Sequence, residues 1–174
     1  MTSPFGIELH LPVDNLDVLG DLGQGKYDVT PPKPHPGFET YIVQATPSIG
    51  VFWVKAITPI IENDAYGNGV RQLKDELHAQ LSKRYGPGKS TDQLMMGSIW
   101  DEPRDWIQSL NANERTCFVL WERLGSGQWP DDIENIFLGV TGNGIDAANV
   151  CVEYRSARMT DGETELRDML SDLL

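Results

Sequence analysis

The chain has 174 residues, 40% of them hydrophobic and 23% charged, a length and balance that fit one folded domain and exclude a disordered chain. Its formal net charge of −12 at pH 7 leaves no basic footprint for direct nucleic-acid binding and disfavours anionic lipid surfaces. No apolar run approaches the ~20 residues that a membrane helix needs.

In chain order, residues 11–20 predict a short helix, with Pro12 in its first turn, Leu16 and Leu19 on one face and Gly20 at its end. Residues 21–27 predict a loop, and Pro31-Pro32-Lys33-Pro34-His35-Pro36 an extended connector, because each proline also restricts the residue before it. Its Pro-x-x-Pro is the minimal ligand of aromatic-grooved adaptor domains, or simply a stiff strap against the body. Residues 38–45 and 51–61 predict two strands of a hairpin about the turn Pro47-Ser48-Ile49-Gly50, with Pro59 as an exit. A helix over 70–85 follows, its stripe being Val70, Leu73, Leu77 and Leu81, and Gly86-Pro87-Gly88 ends it. Residues 92–99 fit helix or loop equally. A second helix starts at Pro103, with Trp106, Ile107 and Leu110 inward. Three strands are predicted over 116–123, 133–140 and 147–156, the last two alternating apolar and polar. The final helix, 162–174, carries a Thr160–Glu163 capping pair and the stripe Leu166, Met169, Leu170 and Leu173.

The expected fold is α+β: a two-layer domain with a mostly antiparallel sheet of about five strands and helices on one face. One domain is expected over 1–174, comprising an N-terminal helix and proline-rich connector (1–36) and a sheet–helix body (38–174).

Charge is placed unevenly. Residues 1–30 carry a net −4 and residues 131–174 a net −7, against −1 for everything between. Such ends attract a basic protein partner and speed its encounter.

Reactive constellations are missing from the sequence. His10, His35 and His78 stand apart, and Cys117 and Cys151 lie in apolar strand-like runs. Buried, reduced thiols in a cytoplasmic protein are therefore expected. Residues 1–10 lack the Lys or Arg of a secretory signal. The glycines at 20, 23 and 25 and at 139, 142 and 144 lack the order of a phosphate loop, and the second set predicts a hairpin turn about Asn143-Gly144. Asp131-Asp132, and Asp101 with Glu102 and Asp105, could serve metal or glycosidic chemistry, but adjacent acids at helix starts also cap or solvate. No catalytic, cofactor-binding or metal-ligating residue is assigned.

Five tryptophans are many for this length. Trp129 stands in Gly125-Ser126-Gly127-Gln128-Trp129-Pro130, followed by Asp131, Asp132 and Glu134. An indole rimmed by acids predicts a partner-binding anchor at these four residues. The alternative is an indole folded back as a lid on the core.

Three stretches carry a resemblance: 27–41 (Tyr-Asp-Val-Thr-Pro-Pro-Lys-Pro-His-Pro-Gly-Phe-Glu-Thr-Tyr), Arg84-Tyr85-Gly86, and Trp100-Asp-Glu-Pro-Arg-Asp-Trp106. As a set they resemble small uncharacterised bacterial proteins of mobile-element or toxin-associated neighbourhoods. That resemblance implies an accessory or protective role of the immunity-protein kind, and brings no activity and no functional residue. The expected function is thus a non-enzymatic acidic inhibitor that occludes the active site of a basic effector such as a nuclease toxin. A phage-encoded anti-defence inhibitor or nucleic-acid mimic is the alternative within that class. A small hydrolase or transferase built around His78 or His35 is the alternative outside it.

Overall fold

The computed structural model describes residues 3–123, 129 and 132–174. The class is α+β, with one antiparallel sheet and three α-helices among the described residues. The strands are β1 (Asp17–Gly23), β2 (Lys26–Thr30), β3 (Thr40–Thr46), β4 (Gly50–Ile57), β5 (Lys89–Leu94), β6 (Arg115–Glu122), β7 (Ile133–Gly142) and β8 (Ala148–Ser156). The helices are α1 (Asn68–Tyr85), α2 (Trp106–Asn111) and α3 (Met159–Ser171). The sheet has eight strands in the order β1-β2-β3-β4-β8-β7-β6-β5, not about five.

The three additional strands are β1, β2 and β5, and the reason they escape the pattern is physical. β1 and β5 are the sheet's edges, mostly exposed along their length, so neither face imposes an apolar alternation. The helix expected over 11–20 is replaced by a single 3-10 turn, Val13–Asn15, and by β1. Leu16 is already extended, with φ −106° and ψ 156°. Residues 21–27, expected as loop, instead close the β1–β2 hairpin, where Gly23 pairs with Lys26. Gln24 and Gly25 both adopt positive φ there, 53° and 71°, the geometry that suits the twist of a tight hairpin.

The chain divides into two compact units. The first comprises Met1–Ala56, Glu122–Ile136 and Glu153–Leu174. Its core gathers Ile49, Phe52 and Trp53, with Ile42, Met159 and Leu166 against them. α3 can approach because Gly162 has no side chain: a Cβ there would overlap the Phe52 ring. The helix begins at Met159 with no side-chain cap, so the Thr160–Glu163 capping pair does not form. Thr160 lies inside the first turn, where its carbonyl accepts the Thr164 hydroxyl at 2.9 Å. The proline connector is a strap. Pro31 is buried, the Lys33 N–H donates to the Phe5 carbonyl at 2.9 Å, and the His35 N–H donates to the Tyr41 hydroxyl at 2.8 Å. Phe5 is held edge-on by Phe38, Tyr41 and Tyr154 at 5.6, 5.0 and 5.9 Å between ring centroids.

The second unit comprises Ile57–Trp121 and Phe137–Val152. α1 forms as its stripe predicts, with Val70 and Leu77 buried and Leu73 and Leu81 half-buried. Its free N–H groups are met from outside the helix: the Asp64 carboxylate accepts those of Gly69 and Val70, each at 2.9 Å. Trp106, Ile107 and Leu110 are buried as expected. The Trp106 ring lies under two guanidinium groups, those of Arg71 at 4.6 Å and Arg115 at 5.5 Å. β4 ends at Ile57, before Pro59, and Ile61 keeps only a single bridge to Ala148. The β7–β8 connection is the predicted turn, with Gly144 at φ 143° and the Asn143 N–H on the Ala147 carbonyl at 2.7 Å.

Candidate partner-binding surface

The four residues that the sequence assigns to a partner lie between β6 and β7 and at the start of β7. Trp129 is half-buried and Glu134 is exposed, while Asp131 lies outside the described residues. The carbonyl of Glu134 accepts the Arg123 N–H at 2.8 Å, closing the base of the connection. Asp132 is fixed twice. Its carbonyl accepts the Ala157 N–H at 2.8 Å, and its Oδ2 stands 3.3 Å from His10 Nε2. Neither ring nitrogen of His10 makes a hydrogen bond to a described residue. His10 itself adopts φ 66° and is locked by its N–H on the Val51 carbonyl at 2.8 Å. A histidine so far away in the sequence gave no sign of meeting Asp132.

The acidic character concentrates in the first unit. It carries sixteen acidic against seven basic residues, a net −9, and the second unit a net −3. Exposed apolar side chains accompany those acids. On β1, Leu19 is 65% and Leu22 55% exposed, whereas the sequence placed Leu19 on a helix face. Of the apolar stripe that the sequence predicts for the final helix, the first member, Leu166, packs on the core cluster. Met169, Leu170 and Leu173 are 46%, 57% and 81% exposed. Leu166 also lies against the β1–β2 hairpin turn, where a Cβ on Gly25 would stand 2.8 Å from its Cδ2.

The other candidates have structural partners. His78 Nε2 lies 2.7 Å from the Pro87 carbonyl, so that nitrogen carries the proton, and its ring meets Trp121 edge-on at 5.5 Å. His35 Nδ1 accepts the Gly37 N–H at 3.0 Å. Burial pushes the Cys117 thiol up to about 11, opposite to the shift that activates a nucleophile. Cys117 borders a cleft of about 210 Å³ beside Arg115, Phe118 and Phe137. There the Arg115 guanidinium donates to Asp92 Oδ1 at 2.6 Å and to Ser109 Oγ at 2.9 Å. Glu102 pairs with Arg104 at 2.8 Å. Among the described residues, no group of three or more His, Cys, Asp or Glu side chains is disposed to hold a metal ion. Their helices include none long and apolar enough to cross a membrane. No protein-family model, curated protein or solved structure matches this chain.

Proposed function

We propose that this is an acidic binding protein of the immunity type, which neutralises a basic effector such as a nuclease toxin by covering its active site. The observation that carries the reading is the coincidence, within one unit, of a net −9 charge with exposed apolar side chains. Charge of one sign steers an oppositely charged partner and sets the encounter rate, and apolar side chains then supply the short-range contact. Trp129, Asp131, Asp132 and Glu134 contribute an aromatic anchor with an acidic rim. Work in the cytoplasm fits two buried free thiols, Cys117 and Cys151.

The test is capture and inhibition together. The chain, immobilised and exposed to extract of its host, is expected to retain a basic protein whose enzymatic activity falls to zero at one equivalent of chain. Retention of acidic proteins or small molecules alone, or of a basic protein that stays fully active in the complex, overturns the reading.

A further inference from the structure

Tyr27 lies in β2, and strand register fixes its neighbours. It pairs with Asp21 of β1 on one side and with Val43 of β3 on the other, so the three side chains share one face of the sheet. Val43 is fully buried and Asp21 is exposed, which puts the half-buried phenol at the boundary between core and water. Lys26, the preceding residue, points to the opposite face, where its ammonium stands 5.3 Å from the centre of the Trp53 ring. The one Lys or Arg of the first thirty residues is thus turned away from Tyr27.

Tyr27 also lines a cleft of about 340 Å³, together with the 3-10 turn at Val13 and the end of β3. Pro12, Val13, Ala45 and Pro47 make its walls largely apolar, and Asp14 is the one charged residue lining it. Asp14 is exposed and enters no ion pair among the described residues. Asp21, beside Tyr27, is held in place by the Gly23 N–H at 2.8 Å from its Oδ1. The volume suits one long side chain or a small ligand and is too small for a helix.

Charge and shape together choose the occupant. An anion would meet Asp14 in a unit of net −9 and be repelled. A wholly apolar group would strip water from Asp14 and give it no partner. A cation on an apolar stem satisfies both the walls and the carboxylate. Guanidinium does so better than ammonium, because it stacks on an aromatic face, takes a carboxylate in two parallel hydrogen bonds and is more weakly hydrated. Resting on the proposed role as a binder of basic proteins, we infer that this cleft receives an arginine side chain of the partner. Its methylenes lie along Pro12, Val13 and Pro47, its guanidinium meets Tyr27 and Asp14, and Asp21 adds negative potential.

The probe is n-butylguanidinium, titrated into the intact, nitrogen-15-labelled chain and read by amide chemical shifts. Saturable shifts are expected at residues 13–15, 27 and 45–48. Butylammonium should bind about threefold or more weakly, and butyl sulfate and butanol should leave those amides in place. Asp14→Asn with Asp21→Asn should weaken guanidinium binding about tenfold. The thermal midpoint should not move, since both carboxylates are exposed and Asn keeps an oxygen for the Gly23 N–H. Tyr27→Leu should also weaken binding, and Tyr27→Phe, which keeps the ring, should not. Shifts confined to other residues, an equal response to butanol or butylammonium, or no loss in the double Asn variant overturns the inference. If that variant still captures and silences a basic effector at full strength, no partner arginine occupies the cleft, and the immunity-type reading stands without it. If the unaltered chain binds the guanidinium but captures no basic effector, the ligand is a free small cation, and both the inference and that reading fail.

Discussion

The hydroxyl of Thr58 accepts the backbone N–H of Val150 at 2.9 Å while the Thr58 N–H donates to the Val150 carbonyl at 2.9 Å. A side chain thus carries on a backbone ladder where Pro59 ends the strand. Thr58 is 1% exposed, so no water can replace its oxygen. Thr58→Val keeps the volume and strands a buried N–H, and should cost about 1–3 kcal/mol. Thr58→Ser should recover most of it. Urea unfolding of the two variants measures the difference.

Asp64 is the cap of α1, although it lies outside the helix. Its two oxygens take two N–H groups that the helix cannot satisfy itself, and its charge sits at the positive end of the helix dipole. Asp64→Ala should lower stability by about 1–2 kcal/mol. Asp64→Asn, which keeps one acceptor and loses the charge, should fall between. Circular dichroism melts of the three proteins give the order.

Cys117 ties stability to alkaline pH. Burial raises its thiol from about 9 to about 11, so the folded state holds the proton more tightly than the unfolded one. Its contribution is complete below about pH 9 and is lost as pH climbs towards 11. The urea midpoint of the native protein should decline over that window, and the decline should be shallower in Cys117→Ala. At about pH 8 the thiol should resist a disulfide reagent until the protein is unfolded.

Glu165 gives the opposite dependence. Its carboxyl is held below the ordinary value by the Thr46 hydroxyl foremost, with burial opposing and the Ser48 N–H assisting. The stability it contributes is present above the usual carboxylate range and is lost as pH falls through its depressed value. Glu165→Gln should therefore weaken the fold slightly at neutral pH and reduce the acid sensitivity of the melting temperature.

Trp129→Ala should weaken binding of a basic partner by about 2 kcal/mol or more, through a faster off-rate. Neutralising Asp131 and Asp132 should instead slow association and flatten its salt dependence. Stopped-flow kinetics separates the two effects. A lowered melting temperature at unchanged affinity would make Trp129 a core residue.

What the sequence made legible was whatever is buried on a regular period. Ile136, Leu138, Val150, Val152 and Tyr154 alternate because each lies in the interior, and β7 and β8 fall within two residues of their expected bounds. β1 and β5 left little trace, since a strand with water along much of its surface imposes no period on its side chains, and β2, only five residues long with Val29 alone buried, offers too short a pattern to read. Periodicity also names a face without saying whether anything covers it. Leu166 and Leu173 look alike in the pattern, yet one packs and the other stands 81% exposed. The acidity of the candidate surface was readable from charges alone, while the approach of His10 to Asp132 depends on a chain reversal that no local pattern encodes.

The place of β8 beside β4 sets a schedule for synthesis. β1 to β4 neighbour one another in sequence and can zip as they emerge, but β4 meets its second neighbour only when residues 148–156 arrive. Through that interval a strand reading Val51-Phe52-Trp53-Val54 presents an unpaired margin on the growing chain, with a long loop still to close. Nascent chains stalled before Ala148 should be the species that chaperones bind and that aggregate when chaperones are scarce.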